Sequence, residues 1–349
     1  MFDKIISLEN LFDAWTEFKK EKGNKDDVAE FEVNLEDHVF SLHEDLKNGT
    51  YKHGGYVSFV VHDPKRRHIH KASVRDRLLH HAVHRVIEPT WNKVFIFDSW
   101  SSRKTKGTHA AIRRLQDFGL KLSHNYTRTL WFLKLDVKKF FDSVDHEILL
   151  NILATRTTDE HLMKLLREIV ESFGPGLPLG NLTSQLFANV YLNELDQFIK
   201  HELRMRGYVR YADDFVLLHT NKEVLIDCLP KVQAFLQERL HLKIHPKKIT
   251  LEPYATGIDY LGYVCFPHHR VLRTKTKRRM FRKVNKKNFS SYSGILKHCR
   301  SHNLSKALLK AVEGRIEILF GGSEASGAFS CAEFGKRFLQ VIKSAEANL

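Results

Sequence analysis

The sequence predicts an α+β fold in which helices surround short antiparallel strands. Three patterns predict it: apolar residues at helical spacing near the amino end, short apolar runs that stop at carboxylates in the middle, and a strongly basic helical stretch after about residue 270. Leu8, Leu11, Phe12, Trp15 and Phe18 recur at three- and four-residue spacing, and Phe31, Val33, Leu35 and Phe40 do so less regularly, so residues 1–50 read as helices. Tyr56–Val61 reads as a strand turned by Asp63-Pro64, followed by the basic stretch Lys65–Lys71. Val74–Ile87 reads as a helix with Leu78, Leu79, Ala82, Val83 and Ile87 along one side.

Leu130–Val137 reads as a strand carrying Asp136 at its end, with helix from His146 onward. Gly174–Pro178 breaks the chain before a helix over Leu182–Leu203. Tyr208–Leu218 reads as two strands meeting at Asp213-Asp214, a hairpin with acids at its tip. Val224–Leu240 reads as a helix that starts late or kinks at Pro230, and strands follow near Ile249 and, as one run, over Tyr260–Val264. Gly321–Gly327 reads as a loop in an otherwise helical tail. The expected division is 1–50, 51–130, 131–270 and 271–349.

Composition narrows the partner. Fifty-six Lys and Arg against 41 Asp and Glu give a formal charge of +15 over 349 residues, a field that attracts polyanions. No run approaches the roughly 20 apolar residues that span a bilayer, and Met1–Lys20 carries four acids, unlike a secretory signal. Nucleic acid is therefore the expected partner, with no membrane. Cys228, Cys265, Cys299 and Cys331 form no CxxC pair, which fits reduced thiols in a cytoplasm. His68, His70, His80, His81 and His84 lack the carboxylate or thiol company of a zinc site.

Asp136, Asp213 and Asp214 stand beside apolar strands, where a carboxylate is costly unless a cation or donor compensates it. Three acids at one end of a sheet would make a hard oxygen site for two Mg²⁺, suited to phosphoryl transfer. An Asp-Asp pair alone is most often a solvated turn, and a lone strand-end Asp is usually a helix cap. It is their joint occurrence that carries weight.

Tyr211-Ala-Asp-Asp214 between apolar strands resembles the Y-x-D-D signature of reverse transcriptases. Leu135–Asp142 resembles the family's first catalytic motif, Leu179–Gln185 its loop-helix motif, and Leu242–Ile249 with Gly257–Tyr263 its later motifs, all in family order. The resemblance implies a right-hand polymerase with fingers, an antiparallel-sheet palm and a helical thumb, and RNA-dependent DNA synthesis. Catalysis falls to Asp136, Asp213 and Asp214, with the Val137 carbonyl as an extra metal oxygen. Adjacent strand residues face opposite ways, so Asp214 is expected to act less directly than Asp213.

Further roles follow from the same likeness. Lys65 and Arg67 would hold the triphosphate of a dNTP, Phe141 would exclude a ribose 2′-OH, and Lys248 would protonate departing pyrophosphate. Gly180 would let backbone approach the nascent pair, and Leu179 and Gln185 line the same pocket. Arg75 and Arg77 in the fingers would contact nucleic acid. So would Lys275, Arg278, Arg279 and Arg282, which helical spacing places along one side of a run holding nine Lys or Arg over 273–287.

One departure narrows the subfamily. Many reverse transcriptases have Gln-Gly-x-x-x-Ser-Pro where this chain has Leu179-Gly-Asn-Leu-Thr-Ser-Gln185. That form is similar to the reverse transcriptases of diversity-generating retroelements, which miscopy template adenines. Arg103–His109 and Tyr292–His298 resemble segments of the same group. The likeness implies a bacterial or phage-encoded enzyme acting on a template RNA and its RNA/DNA duplex, in mutagenic retrohoming. The length leaves no room for a ribonuclease H or integrase, so partners are expected, including a basic, oligomeric accessory protein. The alternative is an antiphage-defence reverse transcriptase with a dedicated noncoding RNA.

Overall fold

The structure is a computed structural model that describes residues 1–20, 22–62 and 65–320, with side chains to residue 312. The chain divides into two compact units, Met1–Pro253 and Tyr254–Leu349. The Asp63-Pro64 turn, the Gly321–Gly327 loop and Cys331 lie outside the described residues.

The first unit opens with four helices, α1 (Phe2–Ile6), α2 (Leu8–Lys19), α3 (Asp26–Val33) and α4 (Leu35–Asn48). Their apolar residues Ile5, Leu11, Ala14, Phe18, Val28, Val39 and Leu42 are fully buried. Gly49, at φ +69°, ends α4 in the left-handed conformation that most side chains resist. A two-stranded antiparallel ribbon follows, β1 (Tyr56–Val61) and β2 (Arg67–Ala72). Next is α5 (Val74–Asn92), capped by the Ser73 hydroxyl, which accepts from the Asp76 amide at 3.1 Å. The helix runs past the expected end at Ile87 and through Pro89, because Trp91 beyond it is buried in the core.

Helix α6 (Thr108–Leu122) precedes the central sheet. That sheet begins with β3 (Trp131–Asp136), after which come α7 (Phe140–Ser143), α8 (His146–Ala154), α9 (Glu160–Glu171) and α10 (Leu182–Gln197). The expected helix to Leu203 ends instead in a wider π turn over Phe198–Glu202. β4 (Gly207–Tyr211) and β5 (Asp214–His219) form the hairpin, followed by α11 (Lys222–Leu240) and β6 (Thr250–Pro253). The strand order is β4-β5-β3-β6, all neighbours antiparallel. Pro230 neither delays nor splits α11. A mid-helix proline costs about 3 kcal/mol, and the buried Leu225, Cys228, Val232 and Leu236 on both sides outweigh it.

The second unit starts with a three-stranded antiparallel sheet, β7 (Ile258–Tyr260), β8 (Tyr263–Cys265) and β9 (Arg270–Leu272). The single strand expected over Tyr260–Val264 is thus a hairpin. Leu261 at φ +50° and Gly262 at φ +92° supply the two left-handed residues of a tight turn. The sheet's local pairing places it in the second unit, so the division falls before the expected residue 270. Helices α12 (Thr274–Lys283), α13 (Phe289–Leu296) and α14 (His302–Phe320) complete the described chain. On α12 Met280 and Phe281 are buried, while Lys275, Arg278 and Arg282 are exposed and Arg279 is half-buried.

Candidate active site

The acids gather because of strand register. Asp136 is the last residue of β3 and pairs directly with Asp214, the first of β5. Residues directly opposite share a sheet face, and Lys134, two before Asp136, joins them. Asp213 is not in a strand. It is the second residue of the two-residue turn that follows Tyr211, and Ala212 opens that turn at φ +52°. Strand alternation therefore does not govern Asp213 and Asp214. The Val137 amide donates to the Asp213 carbonyl at 3.1 Å, and the His245 amide donates to the Asp136 carbonyl at 2.8 Å.

That second contact delivers Lys248. A short 3₁₀ turn, Pro246–Lys248, is capped by the His245 side chain and carries the Lys248 ammonium to 2.6 Å from Asp136 Oδ1. Lys134 Nζ lies 3.4 Å from Asp214 Oδ2, while Asp214 Oδ1 is buried with no hydrogen-bond partner. Burial and the Asp136 charge push the Asp213 carboxyl up, and Lys248 and Arg67 pull the other way. Burial pushes Asp214 up to about 6, against the pull of Lys134 and with the help of Asp136 and Asp213. The site is an overcrowded set of carboxylates held by two lysines.

Among the described residues, no group of three or more His, Cys, Asp or Glu is closed up to hold a metal ion as placed. The donor chemistry nonetheless fits a hard divalent cation: all-oxygen ligands, mutual repulsion that a cation would relieve, and one buried oxygen with nothing to bind. Val137 is buried and bridges to Ile244.

The pocket residues assemble around the ribbon. Arg67 opens β2 and acts electrostatically on Asp213, while Lys65 is exposed. The His70 amide donates to the Leu179 carbonyl at 2.9 Å, docking the loop before α10 on β2. A Cβ at Gly180, where φ is +126°, would stand 3.0 Å from Ile69 Cγ2, so glycine permits this approach. Gly176 is stricter, since a Cβ there would come within 2.2 Å of the Phe141 carbonyl oxygen. Phe140 is buried in the core, whereas Phe141 is only partly covered, and Gln185 is exposed on α10.

Arg75 and Arg77, both expected to contact nucleic acid, have partners within the protein. Arg75 pairs with Asp45 and lies over the Tyr51 ring, and Arg77 pairs with Asp27 and lies over Phe18. Both guanidinium groups bind the amino-terminal helices to α5, and their side chains are only 26% and 15% exposed.

The supporting residues behind the acids escaped the sequence. Arg210 is fully buried on the opposite face of β4. Its Nε and Nη2 donate to Asp196 at 2.7 and 2.6 Å, Nη2 to Ser99 Oγ at 3.0 Å, and Nη1 to Asn189 Oδ1 and the Ala212 carbonyl, both at 3.2 Å. Tyr208 OH also donates to Asp196, at 2.7 Å. A charge inside an apolar strand was the available signal for Arg210. For Lys134 it was the two-residue spacing from Asp136.

Comparison with known proteins supplies the family. Residues 58–265 match the model of the reverse transcriptase (RNA-dependent DNA polymerase) family. Protein YkfC of Escherichia coli is 25% identical over 282 residues, covering 68% of this chain and 71% of that protein. The group II intron-encoded protein LtrA of Lactococcus lactis is 23% identical over 260 residues, covering 70% of this chain but only 41% of LtrA. Among solved structures, telomerase from Candida albicans superposes with a TM-score of 0.51 at 13% identity, covering 88% of this chain and 61% of that one. That likeness and the mixed helix-and-sheet architecture give a right-hand polymerase fold. No helix among the described residues is long and apolar enough to cross a membrane. The chain belongs to the reverse transcriptase family, the RNA-dependent DNA polymerases.

Proposed function

We propose that the chain copies a template RNA into cDNA by transferring deoxynucleotides from dNTPs to a 3′-hydroxyl. The observation that carries this reading is the register pairing Asp136 with Asp214 beside the Ala212-Asp213 turn, inside the matched segment. Asp136, Asp213, Asp214 and the Val137 carbonyl would hold two Mg²⁺, which when bound supply Lewis acidity to the attacking and leaving oxygens. Arg67 and Lys65 bind the triphosphate, Phe141 bounds the sugar, and Lys248 gives its proton to pyrophosphate. The exposed Lys275, Arg278 and Arg282 with Arg279 hold the RNA/DNA duplex through its phosphates.

The subtype we propose is the diversity-generating retroelement enzyme, error-prone at template adenines and assisted by a basic oligomeric accessory protein. Leu179, in place of glutamine, offers no side-chain hydrogen bond to discipline the nascent pair. Primer extension on RNA with Mg²⁺ tests the activity: the parent should extend and Asp213→Asn should not, and an inactive parent would end the reading. Sequencing cDNA made with the flanking locus tests the subtype. Errors at adenines support it, and faithful copies of a dedicated noncoding RNA support the antiphage-defence alternative.

A further inference from the structure

The segment between α5 and α6 crosses the free edge of β4 at Arg210. The Trp100 amide donates to the Arg210 carbonyl at 2.9 Å and the Arg210 amide to the Asp98 carbonyl at 3.0 Å, with Ser99 bridging in parallel to Arg210. These bonds hold the segment as a rigid border of the sheet. Its neighbour Phe97 is left 60% exposed. A phenylalanine this open is ordinary when isolated, but Phe97 is not isolated. Its ring meets Trp100 edge-on at 5.4 Å, Lys106 Nζ lies 3.5 Å from its centroid, and the Arg114 guanidinium lies 5.2 Å away.

The cations are fixed rather than loose. Lys106 donates to the Phe97 carbonyl at 2.8 Å and also lies 4.1 Å from the Trp100 ring centroid. Arg114 is pinned by Asp98 at 2.6 Å and lies over Phe118 at 4.2 Å. Trp100 is buried, and its indole nitrogen has no acceptor. Burial, then the Arg103 charge, lowers the Lys106 ammonium, and Asp98 acts in the opposite sense. An open aromatic ring framed by immobilised cations has the makings of a single-strand site, where a base stacks and its phosphates meet positive charge.

We propose that Phe97, framed by Lys106 and Arg114, is a stacking platform for single-stranded polynucleotide, placed on the border of the central sheet. The occupant fits the net charge of +15 and would be the unpaired template strand rather than the duplex, since a duplex offers no open base face to the ring. The inference rests on the reading of the chain as a copier of polynucleotide, and the test separates the two.

Binding of a labelled oligouridylate of about 12 nucleotides to the full chain is followed by anisotropy across a salt series. Phe97→Ala should weaken binding about tenfold, Phe97→Leu nearly as much, and Phe97→Trp should retain it. Lys106→Ala should weaken binding and reduce the slope of log affinity against log salt by about one unit. Phe97 is largely exposed, so thermal midpoints should match the parent. If Phe97→Ala unfolds, Phe97→Leu carries the test. Oligonucleotide affinity indifferent to Phe97 in folded variants overturns the platform, including the case where a protein partner uses this patch instead. Phe97-dependent binding by a chain that extends no primer leaves the platform standing and ends the polymerase reading, and intact extension with Phe97-independent binding does the reverse.

Discussion

Replacing Arg210 by Met removes the single cation from a fully buried ion pair. Asp196, itself 0% exposed, would keep the Tyr208 hydroxyl as a donor but lose its ion-pair partner, and Ser99, Asn189 and the Ala212 carbonyl would each lose a donor. Stranding one member of a buried pair costs about 3–5 kcal/mol. A domain's whole stability is about 5–15 kcal/mol, so Arg210→Met and Asp196→Leu should each lower the urea midpoint severely. The double variant should recover much of the loss, because neither charge is then left alone. Activity adds a second readout. Ala212 precedes Asp213, so a turn that has lost its Arg210 donor holds that acid less well, and displacement near 1 Å can cost about 100-fold. Arg210→Lys, which keeps charge but not the two-pronged contact, should fold with kcat lowered at least about tenfold. Single variants within about 1 kcal/mol of the parent, or a double variant as unstable as the sum of the singles, would refute the reasoning.

Asp136→Asn and Asp213→Asn should abolish extension, and Asp213→Asn should also raise the urea midpoint slightly, since burial and the Asp136 charge both disfavour its ionised form; unchanged activity would remove them from the chemistry. Arg75→Ala and Arg77→Ala should lower stability by about 1 kcal/mol or less and leave the salt dependence of nucleic-acid binding unchanged, because both charges are committed to Asp45 and Asp27. Leu179→Gln should lower misincorporation opposite template adenine, read by sequencing products, and equal fidelity at every template base would discard the idea. Acid should destabilise the chain through α5. Burial pushes His80 down to about 3 and His81 and His84 down to about 4, whereas an unfolded histidine takes its proton near 6.5. The unfolded chain therefore binds more protons in that window, so stability is full above about pH 6.5 and falls towards pH 4 by up to about 1.4 kcal/mol per unit for each histidine. Asp214, raised to about 6, opposes the trend, so Asp214→Asn should steepen it; a flat urea midpoint between pH 7 and 5 would contradict the assignment.

The sequence by itself determined most of the elements and which acids stand at the ends of the central strands. The apolar runs around Asp136 and Asp213-Asp214 read as strands because alternation and turn residues are local properties, and β3, β4 and β5 lie where they were expected. Local patterns misled where packing outweighed propensity, as at Pro89 and Pro230, and where two left-handed residues folded Tyr260–Val264 into a hairpin. Only the tertiary structure decided the electrostatic partners. Lys248 meets Asp136 across 112 residues, Ser99 meets Arg210 across 111, and Arg75 and Arg77 turn to the amino-terminal helices rather than outward. Such pairings are invisible in sequence because a side chain's charge has no period: which opposite charge it finds depends on how the backbone returns, and that is settled by burial of the apolar faces.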